Sequence, residues 1–208
     1  MKSFISEDNI EQAICNRLSQ PEYGWKRIEC SPELEDQDEV ASTGRANPSE
    51  CILPEVFLSA LRRLNPQIDD EILKNILQDF RKDYSGTDMV DTNYKFYNQI
   101  RNGIKVKTRN QHREDFDIVK LIDFDHPERN EFHCVNQMWI KGHFRYRRPD
   151  VLLFVNGLPV VFIELKNSTV KIEESYNKNL VSYRKDIPNI FAMNQICVLS
   201  NGLQTKIG

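Results

Sequence analysis

At 208 residues, 39% hydrophobic and 28% charged, the chain can bury a sizeable core and has the composition of an ordinary soluble globular protein, which excludes wholesale disorder. A net charge of −3 excludes coating of nucleic acid by bulk electrostatics, so any DNA contact must be local. No run approaches the roughly 18 apolar residues of a membrane span, the start lacks a signal peptide's apolar stretch, and the five cysteines never form Cys-x-x-Cys, which argues against a zinc site and a disulfide framework.

The chain therefore reads as cytoplasmic, and with no clear linker residues 1–208 read as a single domain. Ser6 caps a first helix, over about residues 6–19, whose apolar stripe is Ile10, Ala13, Ile14 and Leu18. Glu11 lies beside that stripe rather than opposite it, so it can reach inward. Trp25 to Cys30 reads as a short strand, and Ser31 to Asn47, acidic and without period, as a loop. Residues 47–102 form a helical insertion. Asn47-Pro48 starts one helix (Leu53, Val56, Phe57, Ala60, Leu61, Leu64), Asp69-Asp70 a second (Ile72, Leu73, Ile76, Leu77, Phe80), and Asp91 to Asn102 a third, carrying Tyr94, Tyr97 and Ile100 and ending at Gly103. These stripes are core rather than a cofactor box.

From Ile104 the period shortens to that of strands: Ile104 to Thr108, Asp117 to Phe124 and Phe132 to Ile140. Two basic stretches lie here. Arg101 to Arg113 reads as a solvated face, whereas in Lys141 to Arg148 the aromatics Phe144 and Tyr146 interleave with Arg145, Arg147 and Arg148, a pattern suited to phosphate contact. Val151 to Val155 and Val160 to Ile163 flank Asn156-Gly157-Leu158-Pro159 and form a hairpin. Glu173 to Lys185 reads as a helix and Gln195 to Ser200 as a last buried strand, joined to the hairpin by a right-handed crossover. The result is an α/β protein with a mixed, largely sequential sheet flanked by helices.

The hairpin carries the chemistry. Two apolar runs covered on both faces end in Asp150, Glu164 and Lys166, charges that packing alone does not explain. Alternation puts Glu164 and Lys166 on one face and Leu165 on the other, where it anchors the core. Asp150 joins Glu164 only if paired residue numbers sum to an even value, which a three-residue loop, Asn156 to Leu158, provides; the carboxylates then stand roughly 5 Å apart at Cβ. Such a pair suits a hard divalent cation such as Mg²⁺. Lys166 beside it is suited to orienting or activating an attacking water, or to stabilising phosphate charge.

The residues Asn136-Gln137, Arg147-Arg148-Pro149-Asp150-Val151, Val155-Asn156-Gly157-Leu158-Pro159, Ile163-Glu164-Leu165-Lys166-Asn167 and Ser200-Asn201-Gly202 together resemble the N-terminal nuclease domain of the type I restriction enzyme R subunit, within the PD-(D/E)xK superfamily. The resemblance spans nearly the whole chain. It implies a restriction-endonuclease-like core over residues 104–208 plus the first helix, with Asp150 and Glu164 as Mg²⁺ ligands, the Leu165 carbonyl as a third and Lys166 as catalytic lysine. It implies that Glu11 approaches the metal, and that Asn179 and Tyr183 stand where the family carries Gln-x-x-x-Tyr, with Asn179 one methylene shorter. It further implies double-stranded DNA as substrate, a translocase region later in the same chain, and methyltransferase and specificity subunits as partners. No Gly-x-x-x-x-Gly-Lys-Ser/Thr motif is present, so ATP belongs to the full-length enzyme and not to these residues. A catalytically silent docking module built on residues 47–102 and a junction-resolving nuclease on the same fold are the rival readings.

Overall fold

The computed structural model describes residues 6–30, 40, 42–110, 113–172 and 179–208, the side chains of 109, 110, 113 and 114 excepted. Most of the expected loop at Ser31 to Asn47 and the start of the expected helix at Glu173 lie outside the described residues. Six strands form a mixed sheet in the order β1-β4-β7-β8-β9-β10. They are β1 (Lys26–Glu29), β4 (Phe132–Asn136), β7 (Val151–Val155), β8 (Leu158–Leu165), β9 (Ile196–Ser200) and β10 (Thr205–Ile207). β1 runs parallel to β4 and β9 parallel to β8, while β4, β7 and β8 are antiparallel neighbours.

Helix α1 (Glu7–Leu18) covers one face, its first turn capped by the Ser6 hydroxyl, which accepts from the Asn9 N–H at 3.2 Å. Its buried residues are Ile10, Glu11 and Cys15, of which Ile10 and Cys15 pack with Cys134, Val151, Leu153, Ile163 and Leu165. Ala13, expected inside, is exposed, because Cys15 and Glu11 set the phase of the buried stripe. The opposite face, with Leu152, Phe154 and Phe162, joins the larger core beneath α2 (Pro54–Leu64), α3 (Asp70–Phe80) and α4 (Met89–Asn102).

Several boundaries differ from expectation, each for a local reason. Helix α2 starts at Pro54 and not at Pro48. Residues 46–53 are instead pinned to neighbours: Arg45 Nη1 donates to the Trp139 and Glu50 carbonyls at 2.9 and 3.2 Å, and the Leu53 N–H to the Gly157 carbonyl at 2.9 Å. In α4 the core face is Thr92, Phe96 and Ile100, whereas Tyr94 and Tyr97 are 65% and 40% exposed. Strands β2 (Ile104–Asn110) and β3 (Arg113–Val119) pair only with each other, apart from the main sheet. β3 stops at Val119, where the Asn65 amide takes over the Lys120 N–H at 2.7 Å. β4 stops at Asn136, since Gln137 turns to φ +59°. The crossover ends in two short helices, α5 (Val181–Asp186) and α6 (Pro188–Met193), the second unforeseen, and β10 extends the sheet beyond the strand expected to be last.

The β7–β8 hairpin reaches its register by an unexpected route. Asn156 and Gly157 both have positive φ, 51° and 81°, the signature of a two-residue type I′ turn, and Val155 pairs directly with Leu158. Carried down the hairpin unchanged, that register would set Asp150 opposite Ile163. It does not carry down, because Leu153 faces Val161 while Phe154 faces Pro159, leaving Val160 as a bulge. Below it Val151 pairs with Ile163, so the next position sets Asp150 opposite Glu164. A two-residue turn plus one bulged residue thus replaces the expected three-residue loop, and the parity is the same.

Candidate active site

Asp150 sits just before β7 and Glu164 within the end of β8, on the sheet face away from α1. Asp150 Oδ2 accepts the Leu165 N–H at 2.6 Å, a bond that ties it to the partner strand. Burial, and after it the Glu164 carboxylate, pushes the Asp150 carboxyl up to about 7, against the opposing pull of the Leu165 N–H and Lys166. Glu164 is 2% exposed. Its Oε1 accepts from Lys166 Nζ at 2.9 Å and from Asn179 Nδ2 at 2.7 Å, while its Oε2 is buried with no hydrogen-bond partner among the described residues. A buried carboxylate oxygen left in that state is a strong demand for a positive ligand.

Lys166 Nζ also donates to the Leu165 carbonyl at 2.6 Å. Burial pulls the Lys166 ammonium downward, but Glu164, Asp150 and Glu7 outweigh it and the net shift is upward. The ammonium therefore holds the two groups, Glu164 and the Leu165 carbonyl, that the family resemblance implies as metal donors together with Asp150. Among the described residues no three histidine, cysteine or carboxylate side chains converge as a metal site by themselves. The set that fits a hard cation is two carboxylates and one backbone carbonyl, all oxygen, with one oxygen unsatisfied.

Glu11 enters at one residue's remove. It is 6% exposed; its Oε1 accepts from Asn136 Nδ2 at 3.0 Å and its Oε2 from Gln137 Nε2, and the same Gln137 nitrogen lies 3.4 Å from Asp150 Oδ1. Gln137, held at positive φ with its N–H donating to the Asp150 carbonyl at 3.0 Å, links the two acids. These groups line an open cleft of about 370 Å³ with Glu7, Asp8, Glu29 and Arg148.

Two contributors, Glu7 and Asn167, were given no role from the sequence. The Glu7 N–H donates to Asn167 Oδ1 at 3.1 Å and the Asn167 N–H donates to Glu7 Oε1 at 3.2 Å, while Lys166 Nζ stands 3.9 Å from the same carboxylate. The available signal was Glu7 lying one helical turn before Glu11, on one face of α1.

The expected DNA-contact residues divide. Arg145 is exposed in the loop between β5 (Ile140–Lys141) and β6 (Tyr146–Arg147). Arg147 is ion-paired to Asp186 (Nε to Oδ2 2.7 Å), and Arg148 lies 5.0 Å from the Trp139 ring centroid at the cleft's edge. Asn179 is turned to Glu164, and Tyr183 donates to the Arg148 carbonyl at 3.2 Å and packs its ring 5.3 Å from Phe162. Burial, then Glu164 and Asp150, holds the Tyr183 phenol well above its usual value, so it acts as a neutral donor.

The family model described as type I restriction enzyme R protein N terminus matches residues 4–208. The chain is 29% identical, across 99% of its length, to the type I restriction enzyme HindI endonuclease subunit of Haemophilus influenzae. It is 30% identical, across 98% of its length, to the MjaIXP endonuclease subunit assigned to Methanocaldococcus jannaschii. It spans 19% of the length of each of these relatives.

Proposed function

The chain belongs to the type I restriction enzyme R protein N-terminus family, and from that premise we propose that it is a Mg²⁺-dependent endonuclease domain that hydrolyses DNA phosphodiester bonds. The observation that carries the reading is the register that sets Asp150 opposite Glu164 with Lys166 bonded between Glu164 and the Leu165 carbonyl. Asp150, Glu164 and the Leu165 carbonyl would hold the cation, which would supply positive charge to polarise the phosphate and offset the charge that builds on it. Lys166 directs its N–H donors at the attacking water or the phosphate. Asn179 and the Glu7–Asn167 contact hold Glu164 and Lys166 in place, Glu11 approaches the cation through Gln137, and Arg145 and Arg148 meet the DNA backbone. Sequence specificity, methylation and ATP-driven movement belong to a translocase region and to partner subunits.

The test is a calorimetric Mg²⁺ or Mn²⁺ titration alongside plasmid cleavage by the full-length enzyme. Binding in the wild type that is lost in Asp150→Ala, with Lys166→Ala abolishing cleavage while ATP hydrolysis persists, is the expected result; a fully active Lys166→Ala enzyme sinks the assignment. The docking-module reading has one observation in its favour. Val90, Tyr94 and Tyr97 of α4 line a mainly apolar cleft of about 830 Å³ together with Phe191 and Leu199. A wild-type chain that binds no divalent ion would favour it.

A further inference from the structure

Resting on the nuclease reading, we propose that the β5–β6 hairpin is a DNA-engaging tip whose Phe144 ring wedges between base pairs of the duplex close to the scissile phosphate. The hairpin is short and closed: Ile140 pairs with Arg147, Lys141 with Tyr146, and the Gly142 N–H donates to the Arg145 carbonyl at 2.8 Å, leaving His143 and Phe144 as the two tip residues.

Its base is fixed on every side. Ile140 is 1% exposed, the Lys141 N–H donates to the Pro48 carbonyl at 2.9 Å, and Arg147 is ion-paired with Asp186 of α5. Gly142 lies so close to the Asp186 backbone that a Cβ there would meet its carbonyl oxygen at 1.6 Å. The tip is therefore pre-organised, and a ring presented on it loses little freedom when it inserts. That ring is 90% exposed, more than any other large hydrophobic among the described residues.

What surrounds Phe144 identifies the partner. Lys141 and Arg145 straddle it, both exposed and in no ion pair among the described residues, and Tyr146 stands beside them with its ring 5.8 Å from Lys141 Nζ. No acidic residue occurs between Gln137 and Pro149. His143 shares a small cleft with Asp83, and its ring packs edge-on against Phe144 with centroids 4.5 Å apart. A protruding aromatic ring flanked by Lys141 and Arg145 is a poor match for a protein interface, whose centre is broadly apolar and depleted of charge. It suits a groove flanked by phosphates, where an apolar wedge unstacks a base step while the cations meet the strands on either side.

The position fits as well. Phe144 precedes Asp150 by six residues, a reach of at most about 20 Å, or about six base pairs at 3.4 Å each. Arg147 couples the hairpin to α5, which also carries Tyr183 beside Glu164 and Asp150. The wedge thus bends or opens the duplex at the cleft's entrance.

The experiment uses the full-length protein with Ca²⁺ in place of Mg²⁺ and a fluorescein-labelled 30-base-pair duplex for binding, plus duplexes with single 2-aminopurine substitutions for unstacking. Wild type should raise 2-aminopurine fluorescence at one or two adjacent positions. Phe144→Ala should abolish that rise and weaken binding about tenfold, and Phe144→Trp should restore both. Lys141→Ala and Arg145→Ala should each lower the slope of log affinity against log salt by about one. A Phe144→Ala protein that keeps the fluorescence rise, or binds within twofold of wild type, overturns the wedge; if Lys166→Ala still abolishes Mg²⁺-dependent cutting, the nuclease reading survives that loss. Wild type that neither binds nor cuts any duplex overturns both.

Discussion

Glu7 and Asn167 bond each other twice, in opposite directions. The N–H of each donates to a side-chain oxygen of the other, at 3.1 and 3.2 Å, joining the first turn of α1 to the residue after Lys166. Each bond is worth about 1 kcal/mol to the fold. Glu7→Ala and Asn167→Ala should each destabilise the protein by about that amount, and the pair should show a coupling of about 0.5–1.5 kcal/mol in a urea-denaturation double-mutant cycle. Simple additivity would show that the two contacts do not act together.

Gly157 tolerates no side chain. Its φ is +81°, and a Cβ there would lie 2.6 Å from the Leu53 carbonyl oxygen and 2.7 Å from the Phe57 nitrogen. Both atoms belong to backbone at the start of α2, so neither can move alone. Gly157→Ala should lose at least about 2 kcal/mol, lowering Tm by about 4–8 °C for a chain of this size. A calorimetric scan within 1–2 °C (about 0.5 kcal/mol) of wild type would contradict this.

His133 makes stability sensitive to mild acid. The residue is 5% exposed in β4, and burial, partly opposed by Glu131, holds its imidazole below the ordinary value of 6.5. Below pH 6.5 the unfolded chain takes up a proton that the folded one refuses, so stability present above that pH is lost as pH falls toward the folded value. His133→Gln should flatten this decline between about pH 6.5 and 5. Parallel stability curves for the two proteins would remove His133 from the account.

Thiol chemistry should be almost silent in the native protein. Cys15, Cys30, Cys51 and Cys134 are buried and Cys197 is half-buried, and no disulfide joins any of them among the described residues. Burial pushes the Cys51 thiol up to about 12 and raises that of Cys197, while the contact with Cys15, and after it burial, raises that of Cys134. Titration with a chromogenic disulfide at pH 8 should modify at most Cys197 rapidly, and all five cysteines after denaturation. Fast modification of a second thiol would show that the sheet opens more readily than its packing implies.

The hairpin and its charges were legible because strand alternation and an Asn-Gly turn are local properties. Helix α1 and its Ser6 cap were legible for the same reason. What escaped depends on contacts between distant segments. Pro48 has every local mark of a helix start, yet Arg45 and the Gly157 carbonyl pull residues 46–53 into another path and Pro54 takes the role. Tyr94 and Phe96 are both aromatic, and only α4's partners decide which one faces inward. The pairing of β2 with β3 alone follows local sequence, but their absence from the main sheet does not. At the site, Asp150, Glu164 and Lys166 stood out as charges beside apolar runs, whereas Gln137 and Asn167 were visible only as part of the family resemblance and Glu7 not at all, because what each does comes from what it touches.

The bulge at Val160 has a consequence for how such a hairpin can change over generations. Val160 is an extra residue set between two stretches of ladder, so its removal would leave Val155 opposite Leu158 and Asp150 opposite Glu164 with every other pair unchanged. The hairpin can therefore lose one residue at that point without moving a carboxylate across the sheet, whereas a one-residue slip of Val151–Leu153 against Val161–Ile163 would move one.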